Sequence, residues 1–73
     1  MDTTTATAAK LEAAREIAGV SRLALSETSG IARTTLNRIL DGKRPATVED
    51  IDFIATALRV DPNSLVEFKD VAA

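Results

Sequence analysis

The chain contains no cysteine and no histidine. Without cysteine there is no disulfide framework, no thiolate nucleophile and no sulfur ligand for a metal. Without histidine there is no imidazole acid or base near neutral pH, no Ser-His pair and no ordinary zinc site. Tryptophan and tyrosine are missing too, and the only aromatic residues are Phe53 and Phe68. A core must be built from aliphatic residues and alanine, which favours helices. No strand-length run of β-branched residues alternates with polar ones. No apolar run approaches the roughly 20 residues that span a bilayer, so no membrane partner is expected. The opening MDTTTATAAK lacks the basic stretch and apolar segment of a secretory signal. The expectation is a cytoplasmic protein that carries no metal and no cofactor. Paired carboxylates remain possible as Glu49, Asp50 and Asp52, but 73 residues do not easily enclose a substrate-sized cleft. A non-enzyme is expected.

What the chain does contain is an uneven distribution of charge. The net charge is −2, which by itself argues against a nucleic-acid partner. Residues 1–21 carry −1, residues 22–44 carry +3 and residues 45–73 carry −4. The basic island is Arg22, Arg33, Arg38, Lys43 and Arg44, against Glu27 and Asp41. Charges further apart than about 8–10 Å across solvent are largely screened at physiological salt, so the local balance counts for more than the total.

The pattern along the chain predicts five helices in one domain over residues 1–73, ordered from about 5 to 69, with both ends frayed. The first runs from about Thr5 to Ala18, with Thr7, Leu11, Ala14 and Ala18 on one face, and Gly19 ends it. Ser21 caps a short second helix from Arg22 to about Ser29, with Leu25 and Thr28 on its inner side. Gly30 stops that helix and Ile31 plugs the turn. A third helix runs from about Arg33 to Leu40 and closes at Gly42. Thr47 opens a fourth, with Asp50 completing a capping box and Val48, Ile51, Ile54, Ala55 and Leu58 as the buried stripe. Asp61 and Pro62 start a fifth, whose inward residues are Leu65 and either Val66 or Phe68.

The third helix carries the informative side chains. With about 100° per residue from Arg33, Asn37 falls near 40°, Thr34 near 100° and Arg38 near 140°, while Ile39 and Leu36 fall near 240° and 300°. Two aliphatics anchor one side, and a continuous polar arc of Arg33, Asn37, Thr34 and Arg38 faces away from them. Arginine matches the O6/N7 edge of guanine with two parallel bonds, asparagine can pair with an adenine edge, and threonine can touch a thymine methyl. A solvated amphipathic helix also carries arginines on its outer face. The preceding short helix and the Gly30 turn make the difference, because that pair forms a helix-turn-helix, whose second helix enters the major groove.

The stretch VSRLALSETSGIARTTLNRILDGKR, Val20 to Arg44, resembles without a gap the helix-turn-helix core of the Cro/C1-type, or XRE-like, phage and bacterial repressors. The resemblance extends more weakly from Leu11 to Leu65. It implies an all-α, compact five-helix bundle of the lambda-repressor-like kind, acting on double-stranded operator DNA. Carried over by position, it implies base contacts from Arg33, Thr34 and Arg38, and a base or phosphate contact from Asn37. It implies phosphate contacts from Ser21, Arg22, Lys43 and Arg44. Four departures stand out. Leu40 replaces an acid that in some members pairs with an arginine where Arg15 stands, so Arg15 is left to Glu12, Asp41 or solvent. Thr28 replaces a core aliphatic. Arg59 replaces the glycine that commonly ends the fourth helix. Asp41 brings negative charge near the expected DNA backbone. Ala32, where serine or threonine is usual, is a weak cap.

Three functions follow from these residues. The first is a transcriptional regulator, of the phage Cro or immunity-repressor kind. The second is an antitoxin that regulates its own operon, with an apolar patch of Phe53, Val66 and Phe68 used for dimers or for a toxin. The third is a protein-interaction module in which the basic arc is incidental. A homodimer on half-sites about 34 Å apart fits the first two.

Overall fold

In a computed structural model, which describes residues 3–65, the chain forms α1 (Thr3–Ala18), α2 (Arg22–Ser29), α3 (Arg33–Leu40), α4 (Val48–Leu58) and a 3-10 turn (Pro62–Leu65). No strand occurs among the described residues. Among the described residues the fold is all-α, with four α-helices and a 3-10 turn at the expected start of the fifth helix. Over Pro62–Leu65 the chain takes a 3-10 turn rather than an α-helix because Asp61 organises its backbone locally. The Asp61 carboxylate accepts from the Asn63 N–H at 2.9 Å, and the Asp61 carbonyl accepts from the Ser64 N–H at 3.0 Å and from the Ser64 hydroxyl at 2.7 Å. Such short-range bonding closes a tight turn in competition with an α-helical ladder. Leu65 still packs inward, at 3% exposure. The expected roles of Val66 and Phe68 and the frayed ends lie outside the described residues.

Every element contributes to a single core. Leu11 of α1, Leu25 of α2, Leu36 and Ile39 of α3, and Ile54 of α4 are essentially fully buried. α4 packs on α1, α2 and the 3-10 turn, and α3 packs on α1 and α2. Burying one such side chain favours folding by about 1.5–3 kcal/mol. α3 is therefore seated by three aliphatics, Leu36, Ile39 and Leu40, while its opposite side stays in solvent.

Three inward assignments are corrected. Val48 is exposed, because it is the first residue of α4 and first-turn side chains lean toward the helix N-terminus, beyond the end of the core. Thr28 is exposed, and its hydroxyl donates to the Ala24 carbonyl at 2.9 Å. It stands outside the core and opens no gap there. Ala18 is exposed at the last position of α1, where the chain turns away at Gly19.

α1, α3 and α4 end in the same double hydrogen bond, in which a left-handed residue one or two places past the helix and the residue after it reach back to the last turn. The pairs are Gly19→Glu16 with Val20→Arg15, Gly42→Ile39 with Lys43→Arg38, and Arg59→Thr56 with Val60→Ala55. This motif needs a left-handed residue. Two helices supply glycine, but α4 supplies Arg59 at φ 59°, alone among the described non-glycine residues. The β-carbon is disfavoured there, and the exposed Arg59 side chain forms no core contact in return. Arg59→Gly should therefore raise stability by about 1 kcal/mol, or roughly 4–8 °C in Tm. A thermal melt followed by circular dichroism checks this, and a lower Tm would contradict the strain assignment.

Candidate nucleic-acid interface

The turn between α2 and α3 decides where the basic arc points. Ser21 caps α2, its hydroxyl oxygen accepting from the Ala24 N–H at 3.0 Å. Gly30 leaves the helix at φ 79°. Two serines then hold Ile31. The Ser26 hydroxyl donates to the Ile31 carbonyl at 2.7 Å, and the Ser29 hydroxyl accepts from the Ile31 N–H at 3.2 Å. The Ile31 side chain is 93% buried as the expected plug, at 7% exposure. Sequence reasoning missed Ser26 and Ser29. Their signal was two hydroxyls, five and two residues before a lone apolar residue in a glycine turn.

α3 starts without a side-chain cap at Ala32. Its buried side is Leu36, Ile39 and Leu40. Arg33, Thr34 and Arg38 are exposed and Asn37 is half-buried. Thr34, Asn37 and Arg38 line an open cleft together with Asp41 and Lys43 from the following turn. Arg33 sits at the start of the helix, outside that lining. Arg33, Arg38 and Lys43 have no carboxylate within salt-bridge distance among the described residues, so their charges face solvent.

Arg44, Arg15 and Arg22 are engaged. Arg44 Nη2 lies 3.7 Å from Asp50 Oδ2. Asp50 also closes the capping box of α4 with Thr47, accepting from the Thr47 N–H at 3.0 Å while its own N–H donates to the Thr47 hydroxyl at 3.0 Å. Arg15 donates to Glu12 and, through Nη1, to the Val20 carbonyl at 2.7 Å. Of the partners open to it, Arg15 thus takes Glu12, while Asp41 goes elsewhere.

Asp41 goes to Arg22, the first residue of α2. Arg22 Nη2 donates to Asp41 Oδ1 at 3.0 Å and to Glu12 Oε2, and Arg22 Nη1 donates to Asn37 Oδ1 at 3.2 Å. One guanidinium thereby ties α1, α3 and the residue after α3 to the start of α2. Hydrogen bonds to Asp41 and then Glu12 raise the Arg22 pKa above its ordinary value, with burial opposing. Glu16 Oε1 also lies 3.8 Å from Arg15 Nη2, so Arg15 and Arg22 are outnumbered by Glu12, Glu16 and Asp41 and the cluster is not positive. The engagement of Arg22 was not evident from the sequence, since its partners lie 10, 15 and 19 residues away.

The geometry offers binding groups rather than chemistry: two arginine forks, a lysine, a hydroxyl and an amide on one open face. A helix-turn-helix family model matches residues 11–65. Among solved structures, the restriction-modification controller protein C.AhdI from Aeromonas hydrophila is similar, at 27% identity and a TM-score of 0.81. The match covers 85% of this chain and 94% of that one. No curated protein matches.

Proposed function

We propose, from the premise that the chain belongs to the Cro/C1-type (XRE-like) helix-turn-helix family and is a DNA-binding transcription regulator, that α3 reads the major groove of a specific operator. Arg33 and Arg38 take guanine edges through two parallel hydrogen bonds, and Thr34 takes a thymine methyl. Asn37 takes a base edge between them. Lys43 and Ser21 hold backbone phosphates, with Arg44 joining them on release from Asp50. Arg22 is left out of that set, because its guanidinium is already bound to two carboxylates and an amide. Placed over a promoter, the protein excludes polymerase as a phage-type repressor does. The likeness to a restriction-modification controller protein favours a second reading, control of the genes of such a system. In either role a second copy on an adjacent half-site is the proposed assembly. A toxin partner would make the protein an antitoxin instead, and a small protein that copurifies with it is the sign of that.

One observation carries the proposal. Arg33 and Arg38, without a carboxylate partner among the described residues, stand with Thr34 and Asn37 on the side of α3 opposite the core, and Lys43, likewise without one, follows in the next turn. The test is a titration of random duplex at two salt concentrations, followed by selection of bound duplexes from a random pool. Salt-dependent binding and a recovered motif are expected, and a symmetric motif indicates two copies. No binding at low salt would defeat the proposal in favour of a protein-interaction role.

Lys43→Ala should weaken binding to all duplexes alike. It should also reduce the slope of log affinity against log salt by about 0.9, the value for one phosphate on B-DNA. A changed motif with an unchanged slope would move Lys43 from the phosphate backbone to a base.

A further inference from the structure

We infer that Arg22 is a positioning residue for base recognition. It sets the direction of the Asn37 amide and so contributes specificity, and it does not bind a phosphate. The inference rests on the proposed reading of α3 as the groove helix.

Three observations lead to it. First, the guanidinium is held from two sides, by Glu12 of α1 and by Asp41 just after α3. Swinging the guanidinium out to a phosphate would break charge-assisted bonds, which are about twice as strong as neutral ones. It would also leave Asp41 unpaired beside the DNA backbone. Second, Arg15 and Arg22 are outnumbered in the cluster by Glu12, Glu16 and Asp41, so it offers no net positive charge to exchange for counterions. Third, Arg22 Nη1 reaches Asn37 Oδ1 at 3.2 Å. The orientation of the amide follows from chemistry, because a guanidinium has only donors and must face the oxygen. The Asn37 NH2 group is thereby turned to the other side of the amide. Asn37 also lines the cleft with Thr34, Arg38 and Lys43.

An asparagine without such a brace rotates about its terminal torsion and presents either end. With Arg22 in place, one orientation is prepared before DNA arrives, and the ordering cost is not met at binding. Asp41, an oddity as a negative charge near DNA, gains a role as the outer clamp on Arg22.

The experiment selects motifs with the full chain and its Asn37→Ala, Arg22→Lys and doubly substituted variants, then measures binding to the recovered duplexes over a range of salt. Asn37→Ala identifies the base pair that Asn37 reads, as the one whose preference disappears. Arg22→Lys keeps the charge but lacks the fork that serves two carboxylates and an amide together. It should reduce discrimination at that same base pair about fivefold or more, the loss expected for one good base contact. The salt slope should stay that of the unsubstituted protein. The double variant should discriminate no worse than Asn37→Ala alone. A motif unchanged by Arg22→Lys, or a slope reduced by about 1 in an Arg22→Met variant with the motif intact, would overturn the inference and return Arg22 to a phosphate.

The unsubstituted protein provides a readout independent of variant folding. Its Arg22 guanidinium proton resonances should hold their positions when the selected duplex is added. A large shift, as a new phosphate partner would produce, overturns the inference. If the unsubstituted protein selects no motif and binds no duplex at low salt, the groove reading and this inference fall together. A clear motif indifferent to Arg22 sinks only the latter.

Discussion

Leu36→Ala should lower the stability of the domain by about 2–5 kcal/mol, the range for emptying a well-packed leucine site. At roughly 0.05–0.15 kcal/mol per residue, a chain of this length has a total stability of about 4–11 kcal/mol, so the loss is a large fraction of the whole. Leu36 has no exposed surface and sits in the middle of α3, the helix that packs on α1 and α2. Small aliphatic cores have little room to collapse around such a cavity, and neither tryptophan nor tyrosine is present to fill it. Urea unfolding followed by circular dichroism measures the effect. Leu23→Ala is the control: Leu23 is 49% exposed on α2 and its truncation should cost far less. A loss below about 1 kcal/mol for Leu36→Ala would show that α3 is not seated as described. The consequence reaches function, because the side of α3 that faces solvent is defined by the side that Leu36, Ile39 and Leu40 bury.

The second large effect is on binding. Arg33→Ala and Arg38→Ala should each weaken operator binding by about 1–3 kcal/mol, roughly five- to 150-fold, and each should relax the motif at its own base pair. Both side chains are exposed and without a carboxylate partner among the described residues, so neither substitution removes a contact that holds the fold. The melting temperature should stay within the small range of ordinary surface changes. Affinity lost at constant stability separates a reading residue from a structural one, and the motif change separates it from Lys43. An intact motif in both variants would contradict the assignment of α3 as the groove helix. Additivity carries further information. The two arginines lie five residues apart on α3, and contacts to separate base pairs should sum, whereas a shared base pair should not.

The local elements of the fold were readable from local signals. The bounds of α2 and α3, the Ser21 cap, the Thr47–Asp50 box and the Ile31 plug each depend on residues within a few positions of one another. So does the left-handed turn at Gly30, and so did the expectation that Arg59 would sit awkwardly after α4. The periodicity that separates Leu36 and Ile39 from Arg33, Thr34 and Arg38 is likewise a property of a single helix. Where a local pattern met the end of an element it misled. Val48 has the right spacing for the core stripe of α4 but hangs past the edge of the core, and Thr28 fell on the wrong side of Leu25. Asp61 and Pro62 do begin a helical turn, but one of the 3-10 type.

The amino-acid order alone determined the class of fold, the helix-turn-helix and the polar face of α3, because backbone propensity, capping and a repeat near 3.6 residues act over a single turn of chain. Which cations remain available to a ligand was decided only when the helices packed. Arg22 and Lys43 look alike in the chain, two basic residues of one island. Packing brings Glu12, Asn37 and Asp41 around the first and leaves the second in solvent. Ion pairing falls off within a few ångströms, and separation along the chain says nothing of that distance until a core has formed.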